Sequence, residues 1–286
     1  MTLARTDLGI TRIGGREFRW GERTYVMGIV NVTPDSFSGD GLGGNVEAVL
    51  SQARRFVADG VDIIDVGGES TRPGHTAVAE DEELRRVIPV VERLARDVHV
   101  PISIDTYKSG VARRAVEAGA FLINDVWGLK RDPAIARVAA EAHVPLVLMH
   151  NHDGTSYADL VPDVIASLRH SLEQAQAAGV PWEDLIVDPG IGFGKTVEHN
   201  LEVMRRLGEM RCLGRPMLLG TSRKSIIGLV LGLPVDQRVE GTAATVALGI
   251  AQGVDIVRVH DVREMVRVCR MSDAIVRGWQ RLPTTT

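Results

Sequence analysis

The sequence predicts an α/β protein closed as a (β/α)8 TIM barrel, with a β-hairpin over the barrel bottom. Eight short, β-branched, nearly all-apolar runs recur along the chain, the pattern of strands buried on both faces in a parallel sheet. Amphipathic stretches rich in Ala, Arg, Glu and Leu alternate with them. Every run also carries a polar residue at or near its C-terminal end. That favours a barrel, whose strand ends all meet at one mouth, over a doubly wound sheet, which gathers its site at one switch point.

Residues 3–23 come first, two short β-prone pieces around Gly14-Gly15, and read as the hairpin. The predicted strands are 25–33 (YVMGIVNVT), 61–68 (VDIIDVGG), 101–106 (PISIDT), 121–126 (FLINDV), 145–150 (PLVLMH), 185–190 (LIVDPG), 216–222 (PMLLGTS) and 254–260 (VDIVRVH). Helical spacing is clear over 46–59, 82–96, 111–118, 161–178 and 201–210. No composition break or repeat divides the chain, so 1–286 reads as one domain with 1–23 as its hairpin extension.

Composition narrows the classes of function. The chain has 286 residues, with 33 Lys+Arg against 37 Asp+Glu for a net charge of −4, which gives no argument for nucleic acid or an anionic membrane. Cys212 and Cys269 lack metal-ligand spacing, read as packing residues, and exclude a disulfide scaffold; a reducing cytoplasm is the expectation. No apolar stretch approaches the roughly 20 residues of a membrane span. Arg5, Asp7, Arg12 and Arg16 break up any secretory signal.

Barrel chemistry sits at the C-terminal strand ends. Those ends carry Asn31, Asp65 with Glu69, Asp105, Asn124 with Asp125, His150, Asp188, Ser222 with Lys224, and Arg258 with His260. The carboxylates suit a heterocycle rich in N–H donors, and the cations suit a phosphate or carboxylate. Asp105 and Asp188 could instead be paired with Lys224 or Arg258 for structure alone. The ligand reading is favoured because buried carboxylates are costly and rarely kept twice in one core.

Residues 31–44 (NVTPDSFSGDGLGG) read as an ordinary strand-to-helix turn or as a mobile lid whose Asn31 offers an oxygen to Mg²⁺. In 67–74 (GGESTRPG), Arg72 is either a solvated loop arginine or an anion fork. The run 190–196 (GIGFGKT) is no phosphate loop, since the Walker pattern needs glycine where Pro189 stands, and Val197 breaks a dinucleotide fingerprint. It reads as a flexible loop presenting Phe193 and Lys195 over the mouth. Arg223 reads as a surface salt bridge, Met149 as wall or core, and His75, His99, His143, His152, His170 and His199 as ordinary surface or loop histidines.

The ordered motifs NVTPDSFS, DVGGESTRPG, SIDT, IND, LMH, DPGIGFGK, TSRKS and RVHD resemble those of the dihydropteroate synthases from Tyr25 to about Trp279. The resemblance implies a homodimeric barrel joining 6-hydroxymethyl-7,8-dihydropterin diphosphate to p-aminobenzoate with release of pyrophosphate, in an SN1-like reaction with Mg²⁺ as cofactor. It places Asp105, Asn124, Val126, Met149, Asp188, Phe193, Gly220 and Lys224 around the pterin. It places Asn31, Thr71, Arg72, Arg258 and His260 on the diphosphate, Asn31 also on Mg²⁺. Thr71, Arg72, Pro73, Phe193, Ser222 and Lys224 border the p-aminobenzoate, and Asp35 steadies the developing cation.

Two departures stand out. The first loop reads DSFSGDG where the family commonly has DSFSDGG, moving the acid to Asp40, and the stretch after His150 (NHDGTSYADL) is short and lacks Lys or Arg. A rim of 36–44, 71–73 and 191–195 is expected to govern any tolerance of sulfonamides, which should compete with p-aminobenzoate. The competing readings are a pterin-binding methyltransferase serving a corrinoid protein and a pterin-binding homologue without turnover.

Overall fold

The structure is a computed structural model, described over residues 8–32, 41–69 and 77–279; side chains at 41–45 are outside that description. The hairpin pairs β1 (Ile10–Ile13) antiparallel with β2 (Arg16–Arg19), Ile10 opposite Arg19 and Ile13 opposite Arg16. Eight parallel strands follow: β3 (Tyr25–Asn31), β4 (Ile63–Gly67), β5 (Ile102–Asp105), β6 (Leu122–Asp125), β7 (Leu146–Met149), β8 (Leu185–Asp188), β9 (Leu218–Leu219) and β10 (Ile256–Val259). Their order is β8-β7-β6-β5-β4-β3-β10-β9. The seam closes where the Val187 N–H donates to the Pro216 carbonyl (3.0 Å) and Val187 bridges Met217. All eight predicted strands are present. The seventh is the shortest, in part because Pro216 has no N–H to add to the ladder.

The helices are α1 (Gly41–Asp59), α2 (Glu80–Asp97), α3 (Ser109–Glu117), α4 (Ala134–Ala142), α5 (Leu160–Ala177), α6 (Val197–Arg205), α7 (Ser225–Leu231), α8 (Val239–Ala251) and α9 (Val262–Val276). Two expectations are corrected. The GLGG part of the first loop is helical, because α1 begins at Gly41. The helix expected over 201–210 ends at Arg205 and continues as a 3₁₀ segment, Leu207–Leu213, where the Gln252 side chain takes the Gly208 N–H (3.2 Å). None of the described helices is long and apolar enough to cross a membrane.

Strand alternation sorts the side chains into two cores. Outward residues such as Ile104, Leu148, Val187 and Val257 pack beneath the helices. Inward residues Met27, Ile63, Leu122, Val147, Ile186, Leu218 and Ile256 form the barrel floor together with Ile13, Phe18 and Trp20 of the N-terminal segment and Tyr25. The hairpin thus plugs the bottom, as its composition suggested. Phe18 lies 4.7 Å ring to ring from Tyr25, the Trp20 indole N–H donates to Thr11 Oγ1 (2.9 Å), and the Arg19 N–H donates to the Tyr25 hydroxyl (2.7 Å). With the floor sealed and apolar, polar side chains can converge only at the opposite end.

Candidate active site

Two residues above the floor, the same alternation turns inward Asp65, Asn124, Met149, Asp188, Gly220 and Arg258, with Asp105 two beyond buried Ser103. The register holds this layer level: Asp105 pairs with Asn124, and Met149 with Asp188. Asp125, one residue out of phase, faces the other way. Its carboxylate accepts from the N–H groups of Trp127 (2.8 Å) and Leu129 (2.6 Å), so it shapes a loop and leaves the mouth.

At the centre, the Arg258 guanidinium donates from Nε to Asp65 Oδ2 and from Nη2 to Asp105 Oδ2, each at 2.6 Å. Asn124 Nδ2 donates to the same Asp65 oxygen (3.2 Å). Part of the purely structural pairing considered for these carboxylates is therefore real. It is incomplete, since Asp105 Oδ1, Asn124 Oδ1 and Asp65 Oδ1 are buried with no hydrogen-bond partner. Such acceptors are costly unless a ligand supplies donors. Burial pushes the Asp105 carboxyl up to about 7 against the pull of Arg258. Burial opposes the Arg258 charge, yet Asp65 and Asp105 hold its pKa above the ordinary arginine range.

Beside this group stand Asp188 and Lys224. Asp188 Oδ1 accepts from the Gly190 N–H (2.7 Å), and burial raises its pKa while the Lys224 charge opposes the rise. Burial pulls Lys224 down to about 8 against the attraction of Asp188. Its ammonium donates to the Ile191 carbonyl and lies 4.4 Å from the centre of the Phe193 ring. Gly220 leaves the space between them open: a Cβ there would lie 3.9 Å from Lys224 Nζ and from Arg258 Cβ, and 4.0 Å from Asp188 Oδ2. Met149 is buried wall, and Val126 is buried just past β6, its carbonyl accepting from Asn151 Nδ2 (3.0 Å).

The anion side is built by β9 and β10. The Ser222 hydroxyl accepts from the His260 backbone N–H (3.1 Å) and stands 3.0 Å from its Nδ1. Arg223 pairs with Asp261 at the surface, as expected, with φ +56. Asn31 ends β3 half-buried, its backbone paired with Gly67 of β4. Asp35, Thr71, Arg72, Pro73 and 36–40 of the rim lie outside the described residues.

The loop after β8 sets Phe193 beside Lys224, as expected, but it does not present Lys195 over the mouth. Lys195 turns inward, where its ammonium meets His150 Nδ1 (2.8 Å) and donates to the carbonyls of Gly190 (3.0 Å) and Phe193 (3.1 Å). Burial lowers Lys195 to about 7. Burial, helped by the charges of Lys195 and Lys130, lowers His150 to about 2, so its ring is neutral and accepts from the lysine. His150 therefore braces the loop from behind and does not face the mouth.

Sequence reasoning also passed over Tyr157, whose hydroxyl donates to the Gly194 carbonyl (2.6 Å), and Lys108, which bridges Glu69 and Glu83 at 2.5 Å each. Glu83 sits in the acidic run that opens α2, so nothing in its spacing marks it as buried. Of the cysteines, Cys269 is buried packing, but Cys212 is exposed, contrary to expectation.

A sealed α/β barrel with unmet acceptors, a lysine and an arginine at one mouth belongs to the class of barrel enzymes that bind a donor-rich ring beside an anion. Within that class, the chain belongs to the pterin binding enzyme family, whose sequence profile matches residues 27–260. It is 53% identical to the dihydropteroate synthase of Clostridium beijerinckii over 267 residues, covering 93% of this chain and 99% of that protein. It is 55% identical to that of Bacillus subtilis over 255 residues, covering 89% and 90%. Among solved structures it is similar to dihydropteroate synthase of Clostridium difficile in the presence of pteroic acid (TM-score 0.89, 52% identity, covering 90% of this chain and 98% of that one). The Xanthomonas albilineans enzyme with 4-aminobenzoic acid is similar at TM-score 0.88 and 43% identity, covering 93% and 97%.

Proposed function

We propose that the barrel catalyses dihydropteroate synthesis, joining 6-hydroxymethyl-7,8-dihydropterin diphosphate to p-aminobenzoate in the cytoplasm. The observation that carries this reading is the set of buried, unpartnered acceptors on Asp105 and Asn124, one layer above an apolar floor and beside Asp188 and Lys224. Pterin ring N–H and amino groups are the donors that would satisfy them, with Lys224 reaching the carbonyl edge.

The C–O bond to diphosphate breaks first, the aniline nitrogen then forms its C–N bond to the exocyclic methylene, and the aniline proton leaves to diphosphate or solvent. A neutral aniline is already nucleophilic, so the reaction needs no Ser–His or Cys–His dyad. The electron-rich pterin spreads the charge left on the methylene, which supports an SN1-like course. Arg258 and the His260 ring supply donors where negative charge grows on the departing diphosphate. Ser222 and Phe193, with the stem of Lys224, border the p-aminobenzoate.

The donor set suits Mg²⁺ held largely through the diphosphate: Asn31 offers one neutral oxygen, and no group of three or more His, Cys, Asp or Glu among the described residues forms a protein-only metal cage. When bound there, Mg²⁺ would neutralise charge on the leaving diphosphate. The test is to incubate the purified chain with both substrates and Mg²⁺. Dihydropteroate and pyrophosphate should appear in equal amounts. Tight pterin binding without product would favour the homologue without turnover, and methyl transfer to a corrinoid protein would favour the methyltransferase.

The protein is also read as a homodimer. Support comes from apolar side chains left exposed on neighbouring α7 and α8: Leu229 (67% exposed), Val230 (57%) and Leu248 (62%). Sedimentation should give about twice the 31.0 kDa chain mass. Leu248→Arg should shift the species towards monomer, and a monomeric parent protein would refute the reading.

A further inference from the structure

The proposed reaction leaves the half-buried Lys195 and the buried His150 without a role, although both stand beside residues that have one. The three acceptors around Lys195 Nζ, at 2.8, 3.0 and 3.1 Å, match the three N–H groups of an ammonium. Two of them belong to the loop itself and the third to the end of the β7 segment, so one side chain ties the loop to the barrel wall.

The backbone is pressed against the same wall. Gly190 (φ +68) and Gly194 (φ +55) adopt left-handed conformations, and an added Cβ would lie 1.8 Å from the His150 carbonyl oxygen and 2.4 Å from that of His152. Only glycine fits such an approach. The Gly192 N–H donates to Asn200 Oδ1 (2.6 Å), and Tyr157 holds the Gly194 carbonyl. On its other side, the loop offers the Ile191 carbonyl to Lys224 and sets the Phe193 ring against the same ammonium. The loop is braced behind by Lys195 and bears Phe193 in front.

We propose that Lys195 is a positioning residue, which through His150 and the 190–194 backbone holds Phe193 and Lys224 in place for p-aminobenzoate. This rests on the reading of the site given above. A lysine is required because the acceptors surround a compact ammonium, a shape that a planar guanidinium cannot reproduce.

Steady-state kinetics on the full chain, varying each substrate in turn, tests it. Phe193→Leu checks the site itself and should raise the KM for p-aminobenzoate. Lys195→Met keeps most of the side chain's length but removes the ammonium; the KM for p-aminobenzoate should rise about tenfold with kcat within about threefold. A merely structural role would lower the active fraction, and so kcat, with KM intact. Lys195→Cys in a Cys212→Ser background, alkylated with 2-bromoethylamine, rebuilds an ammonium of the same reach and should restore KM to within about twofold.

If Lys195→Met does not fold, the decision passes to His150, which supplies one of the three acceptors. His150→Leu should raise KM, and His150→Asn, which keeps an acceptor near Nδ1, should restore it. An unmoved KM in the Lys195 and His150 variants while Phe193→Leu raises it overturns the proposal and leaves the site reading intact. An unmoved KM in Phe193→Leu overturns the site reading and the proposal with it.

Discussion

Asp188→Ala should weaken pterin binding by on the order of 2–5 kcal/mol, roughly a 30-fold or larger rise in Kd. The carboxylate is buried at the end of β8 with one oxygen on the Gly190 N–H, leaving the other to face the ring donors. Alanine removes both contacts and leaves pterin N–H groups buried without acceptors. Asp105→Ala should act in the same direction, but there the change also takes one partner from Arg258. Asn at either position keeps shape while losing charge, so it should fall between parent and alanine. Calorimetry with the pterin alone is the measurement. Unchanged affinity in both alanine variants would mean that the ring lies elsewhere.

The second large effect is on the chemical step. His260→Ala should lower kcat by roughly 10²-fold at saturating Mg²⁺ and substrates, because charge on diphosphate grows towards the transition state. Arg258→Ala should lower kcat at least as far, and a second loss accompanies it. Its guanidinium is the shared partner of Asp65 and Asp105, and its side chain is 18% exposed. Removing one member of a buried ion group costs about 3–5 kcal/mol, so Tm should fall more in Arg258→Ala than in His260→Ala. Turnover and melting temperature measured together separate catalysis from folding. Full kcat in Arg258→Ala would show that the diphosphate binds away from β10.

The residues of the inward layer were legible because strand periodicity is strict. Asp65 and Asp188 were read as polar strand ends, and alternation is what turns them inward, since Ile63 and Ile186 two residues before them are inside. Asp125 was misplaced because a list of polar strand ends ignores that neighbours point oppositely. At 190–196 the inward turn of Lys195 was missed because glycine permits two opposite outcomes, freedom or close approach. Only the positions of the His150 and His152 carbonyls distinguish them.

The sequence by itself determined the barrel, the hairpin beneath it and most of the charged residues at its mouth, since these depend on local periodicity and on motifs that are contiguous in the chain. Tertiary structure alone decided which charges meet. Asp65 and Arg258 stand 193 residues apart yet share a hydrogen bond, and Lys195 finds His150 across 45. Such pairings follow from closure of the barrel, which brings distant strand ends within a few ångströms. Burial then makes each unpaired charge costly enough that the nearest partner, or a ligand, must satisfy it.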